Sequence, residues 1–163
     1  VLSQHLGSGA DMTDFALSRS FDVITCLFSA IGHLTTPQLY KQALRCFHRH
    51  LTDCGFLVVE PWLEPARWRA NTCHMQTVDL PKLKISRQST SFPPEERDGV
   101  SISAFGLHHL VSTPQNTRYT VDHFEMALYT REEHLDMFRS EGFEAEWLEP
   151  GLTGRGLIVA RKV

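Results

Sequence analysis

The sequence predicts an α/β fold in which a parallel strand–helix–strand unit carries an inserted antiparallel sheet. Three observations predict it. Residues 21–29 (FDVITCLFS) and 56–59 (FLVV) are apolar runs rich in β-branched and aromatic residues, short enough for buried strands. Between them Leu39, Ala43, Phe47 and Leu51 recur at four-residue spacing, the stripe of an amphipathic helix. Residues 74–92 and 99–129 change pattern. Leu83-Lys84-Ile85-Ser86-Arg87 and Val100-Ser101-Ile102-Ser103 alternate, as half-buried antiparallel strands do.

The first helix starts at Thr35-Thr36-Pro37, a threonine cap with proline in the first turn, and ends at Asp53-Cys54-Gly55. So short a connection between two strands implies that they are parallel and joined by a right-handed crossover. Glu60 and Pro61 stop the second strand. Pro93-Pro94 with Asp98-Gly99, and then Pro114-Gln115-Asn116, divide the middle into three antiparallel strands. Residues 74–129 form this insertion within a single domain of residues 1–163. Thr130 opens a second helix with Glu133 three residues on, a capping box; Leu135 and Phe138 face its core side and Gly142 ends it. Residues 143–148 and 155–161 close the chain as a hairpin.

The 163 residues are enough to bury a core, and 42% hydrophobic with 21% charged residues is ordinary for a globular protein. A net charge of −3 gives no sign of nucleic-acid or membrane-surface binding. No apolar run approaches the roughly 18 residues of a membrane span, and the N-terminal residues lack a secretory pattern. The four cysteines include no CxxC pair, which predicts reduced, mostly buried thiols in a cytoplasmic protein. Cys46, His48 and His50 stand two apart on a helix, and His108 and His109 are adjacent on a strand. Neither spacing puts ligands on one face, and no metal site is expected.

Four local pieces, in order along nearly the whole chain, resemble class I S-adenosylmethionine-dependent methyltransferases, and more narrowly the N,N-dimethyltransferases of dTDP-linked amino sugars. They are Asp11-Met12-Thr13-Asp14-Phe15, the run FSAIGHL ending at His33, Glu60-Pro61-Trp62, and Gly154-Arg155-Gly156-Leu157. The resemblance implies a partial Rossmann-like methyltransferase sheet, S-adenosylmethionine as cofactor and a small-molecule amine as acceptor. The glycine-rich loop of that family is expected upstream of the DMTDF segment. Leu6-Gly7-Ser8-Gly9-Ala10 is not read as that loop, because no strand precedes it. With Val rather than Met at its start, the chain is read as the C-terminal part of such an enzyme. The cofactor is then expected only if the remaining part is present.

The resemblance implies that His33 faces the acceptor amine, as base or as orienting group. His33 follows the end of a central strand, where open α/β sheets bind ligands, and Gly32 permits a sharp turn before it. Asp11 would accept a bond from the adenine amino group and Met12 would pack on its ring, although Ala10 replaces the glycine usual before this Asp. Leu27 and Phe28 line the cofactor pocket or fill the core. Glu60 and Trp62 offer a carboxylate and a stacking face to a sugar or base, or simply end a strand. Arg155, between two glycines, suits a diphosphate, or is an exposed turn residue. Arg118, Tyr119, His123 and Glu125 lie on the insertion, on faces the pattern leaves open.

Two functions follow as expectations. One is methyl transfer to a small-molecule amine on a nucleotide-linked sugar. The other is a small-ligand-binding fragment of the same fold that performs no chemistry and pairs with itself. A sheet lacking its first strands would expose an apolar edge, so a homo-oligomer is expected either way.

Overall fold

The computed structural model describes residues 10–163. Residues 6–9 of the rejected glycine segment lie outside it.

Strand β1 (Phe21–Cys26) runs into a short 3-10 turn (Ala30–His33) and helix α1 (Pro37–His50). Thr36 caps α1 through its side chain, accepting from the Leu39 N–H, with Pro37 at the first helical position. Strand β2 (Leu51–Val59) follows at once and pairs parallel to β1, with Val23 opposite Phe56 and Cys26 opposite Val59. The predicted strand–helix–strand unit is present, with two boundaries moved. The helix stops at His50, because Leu51 is already extended and its side chain is buried. β1 stops at Cys26, because Phe28 and Ser29 take left-handed backbone angles (φ 55° and 58°) that no strand accommodates. The buried face of α1 is Tyr40, Ala43, Leu44 and Phe47; Leu39, predicted on that face, is 38% exposed.

The insertion contains five strands where three were expected: β3 (Cys73–Leu80), β4 (Leu83–Ser91), β5 (Glu95–Arg97), β6 (Val100–Ser112) and β7 (Thr117–Ala127). They form one antiparallel sheet, ordered β3-β4-β6-β5, with β7 also on β6. The miscount arose because β3 and β4 are joined by a two-residue turn, Pro81-Lys82, inside one alternating stretch, and β5 is only three residues long. Helix α2 (Arg131–Ser140) carries the expected capping box between Thr130 and Glu133. Strands β8 (Phe143–Leu148) and β9 (Leu157–Lys162) pair antiparallel and complete a four-stranded sheet, β1-β2-β9-β8.

Both helices pack into one core with this sheet; Tyr40, Leu57, Phe138 and Ile158 are fully buried within it. Val100, Ile102, Ala127 and Tyr129, at the near ends of β6 and β7, belong to the same cluster. The second sheet is thereby anchored at one end, beside the C-terminal ends of β1 and β2, while its far end stands clear. Cys26 and Cys46 are buried as expected, but Cys54 and Cys73 are exposed. Cys54 sits at a positive-φ position (φ 60°) in an irregular part of β2, and Cys73 opens the solvated strand β3. No helix among the described residues is long and apolar enough to cross a membrane.

Candidate active-site cleft

The parallel strands β1 and β2 end side by side, and a cleft of about 720 Å³ opens beyond them, closed on its far side by the antiparallel sheet. Period-two alternation decides what that sheet contributes. Phe105 on β6 stands opposite both Ser91 on β4 and Phe124 on β7, and all three line the cleft. One step along, Leu107 is opposite Ser89, which is opposite His74 on β3, and these line it too. Tyr119, His123 and Glu125 fall on the alternate positions of β7 and point to the other face.

An aromatic wall crosses the cleft. Trp62 and Phe105 stack with ring centroids 5.7 Å apart, Phe105 and Phe124 at 5.3 Å, and Phe124 meets the His33 ring at 6.0 Å. Trp68 closes the side, 6.3 Å from both Trp62 and Phe105. The Arg155 guanidinium lies 4.7 Å above the Trp62 ring, within the range of a cation–π contact. Arg67, Arg69 and Arg87 add three further cationic side chains to the lining. The cleft therefore brings together an imidazole, flat apolar faces and four guanidinium groups.

Four predicted residues line this cleft: Phe28, His33, Trp62 and Arg155. His33 is exposed on the turn that follows β1. Gly32 before it is buried, and a Cβ there would meet both the Met126 Cε and the Trp62 Cβ at 2.8 Å. The glycine is thus required by close approach, not by a positive φ. Phe28 is 86% exposed, held out into the cleft by its left-handed backbone. Trp62 is fixed by an indole N–H bond to the Ser103 hydroxyl at 3.1 Å.

Glu60 is only 1% exposed and stands behind the wall. Its Oε2 accepts from the Phe28 N–H at 2.7 Å and its Oε1 from the Thr153 hydroxyl at 2.6 Å. Leu27 is half-buried and outside the lining. Asp11 and Met12 lie away from the cleft. Met12 packs against the hydrophobic core, and Asp11 is exposed. Among the described residues, Asp11 Oδ1 accepts both the backbone N–H and the hydroxyl of Thr13, each at 2.8 Å. These bonds, backbone first, lower its pKa and keep it an acceptor at neutral pH. Cys26, at the end of β1, has its thiol pushed up to about 11 by burial and is no nucleophile.

Sequence reasoning missed Phe105, Phe124, Trp68 and the three arginines. The signal for two of the arginines was present in Arg67-Trp68-Arg69, a basic–aromatic triplet just after the second strand. Phe105 and Phe124 carry no local mark and become visible only through strand register.

No family model matches the chain. It is 34% identical over 150 residues to the dTDP-3-amino-3,6-dideoxy-alpha-D-glucopyranose N,N-dimethyltransferase of Streptomyces fradiae, covering 91% of this chain and 56% of the relative. It is 31% identical to the dTDP-3-amino-3,4,6-trideoxy-alpha-D-glucopyranose N,N-dimethyltransferase of Streptomyces venezuelae, covering 91% and 61%. Among solved structures, DesVI of Streptomyces venezuelae superposes with a TM-score of 0.85 at 30% identity, over 94% of this chain and 64% of that one. The amino pentose methyltransferase CalS10 of Micromonospora echinaspora, solved with S-adenosylmethionine bound, gives 0.80 at 31% identity, over 94% and 63%. The chain thus spans less than two thirds of the length of these relatives. Along 91% of its own length in sequence, and in fold, it is similar to the dTDP-amino-sugar N,N-dimethyltransferases and to S-adenosylmethionine-dependent sugar methyltransferases.

Proposed function

We propose that this chain forms the acceptor side of an S-adenosylmethionine-dependent N-methyltransferase whose acceptor is an amine on a nucleotide-linked sugar. The observation that carries the reading is the single cleft that holds His33, the aromatic wall and four arginines. The similarity to enzymes named for dTDP-amino sugars supports it. S-adenosylmethionine would supply a methyl group on a sulfonium, open to in-line attack. The acceptor nitrogen forms the new C–N bond as the C–S bond breaks, and the nitrogen gives up one proton.

His33 is the group placed to hold or take that proton. Imidazole is the side chain suited to taking a proton at neutral pH. Positioning contributes the rest: a planar wall restricts the sugar or base to one orientation, and the surrounding guanidiniums hold a diphosphate. Arg155 serves the phosphate end and Trp62 the stacking face. Asp11 and Met12, on the segment before β1, would hold the adenine, with Leu27 and Phe28 beside the methyl donor. A carboxylate acceptor and a flat apolar side chain match adenine's edge and face.

The competing reading is a small-ligand-binding module without chemistry. Isothermal calorimetry with S-adenosylhomocysteine and with thymidine diphosphate separates them. Methyltransferase function requires binding of both, and methyl incorporation into a dTDP-amino sugar. Binding of thymidine diphosphate alone would favour the module. We also propose self-association, supported by β1, which among the described residues pairs only with β2, and by the exposed Val23 on β1 and Phe56 opposite it on β2.

A further inference from the structure

Glu60 is a buried carboxylate to which the chemistry above assigns no step. Carboxylates are costly to bury unless their oxygens are bonded, so its place needs a reason. Its two bonds reach segments far apart in sequence, Phe28 before it and Thr153 after it. Both segments are strained or tightly packed. Phe28 and Ser29 are consecutive left-handed residues, a conformation that is costly outside glycine and persists only where the surroundings impose it. The loop that bears Thr153 returns through Gly151 and Gly156, where a Cβ at Gly151 would meet Gly156 at 2.3 Å. The same two segments meet a second time in front of Glu60. Arg155 Nη1 donates to the Ser29 hydroxyl at 2.8 Å, and that hydroxyl donates to the Pro61 carbonyl at 2.8 Å. Four side chains and one backbone N–H make a closed frame: Glu60 to the Phe28 N–H, Ser29 to Arg155, and Thr153 back to Glu60.

We propose that Glu60 is a positioning residue, which ties the Phe28–Ser29 turn to the Thr153–Arg155 loop and thereby fixes the Arg155 guanidinium over Trp62. A carboxylate suits the place because both its oxygens accept at once. The Phe28 N–H can only donate, and the Thr153 hydroxyl donates to the other oxygen. The inference rests on the acceptor-site reading only for what Arg155 binds, not for how Arg155 is held.

The test uses the chain itself, with two readouts. The first is the indole N–H resonance of Trp62 in a nitrogen–proton correlation spectrum, assigned with W62F, which senses the cation above the ring without any ligand. The second is affinity for thymidine diphosphate by calorimetry. T153V is expected to shift the Trp62 resonance and weaken thymidine diphosphate about tenfold, the order of one hydrogen bond to a charged group. T153S is expected to restore both. In R155M, adding T153V should cost less than about a further twofold, because the two act through one contact. The inference is overturned if T153V leaves the resonance in place, or if its effect multiplies fully with that of R155M. A lowered melting temperature with an unmoved Trp62 signal overturns it too, since that is a purely structural role. Should the parent chain bind no thymidine diphosphate, the acceptor reading falls and the Trp62 resonance alone decides.

Discussion

At the scale of single residues, His33 and His134 illustrate opposite uses of one side chain. His33 is exposed at the cleft, and under the proposed methyl transfer H33N is expected to lower kcat about 10²- to 10⁴-fold with little change in KM for the acceptor, the usual weight of a general base. A loss confined to KM would assign it to binding alone. His134 is 2% exposed, its Nδ1 2.7 Å from the Tyr40 hydroxyl, and burial pushes its pKa down to about 3 from 6.5. Above pH 6.5 it is neutral in both folded and unfolded chains and contributes no pH dependence. Below that, the unfolded chain takes up a proton the folded one refuses, so stability falls as pH drops toward 3, by about 1.4 kcal/mol per unit at most. Urea titrations from pH 7 to 4 should show that slope, and H134Q should flatten it by about one proton.

At the scale of elements, turns and caps were the most legible features. Thr36-Pro37 and the Thr130–Glu133 box follow from local chemistry, and T130A should cost about 1 kcal/mol in the denaturant midpoint analysis. The parallel strand–helix–strand unit was equally plain, since an apolar run, a four-residue stripe and a second run admit few arrangements. Register was not legible. Whether His123 or Phe124 enters the cleft depends on which residue stands opposite Phe105, and alternation is the same for both until the pairing is known. The glycines were legible as turns but not as contacts. At Gly156 (φ 86°) a Cβ would stand 2.2 Å from the Trp147 ring, so G156A combines a left-handed backbone with a rigid aromatic clash. It is expected to destabilise by about 3 kcal/mol or more, read from the same titrations.

At the scale of the whole molecule, the cleft belongs to neither sheet alone. The parallel ends of β1 and β2 give Phe28, His33 and Trp62, while β4, β6 and β7 give the opposing face. The sequence shows residues 21–62 as a site because they lie close together in the chain. It hides the other wall because those residues meet the site only through anchoring of the second sheet by Ile102, Ala127 and Tyr129. Among the described residues β1 is an edge strand, and this too is a property of the whole. Light scattering should find the chain above monomer mass, and V23K, which places charge on that edge strand, should reduce association at least severalfold.

The left-handed pair at Phe28 and Ser29 has a consequence for how this chain would respond to selection. Glycine at position 28 would relieve the backbone at once, yet the phenylalanine there also keeps a large apolar ring in water. A laboratory evolution campaign rewarding heat tolerance alone should discard that ring early, and F28G clones should rise in such a pool. A campaign rewarding turnover should retain it. The two pools diverging at this one codon would mark Phe28 as a residue kept for its work in the cleft at the expense of the fold.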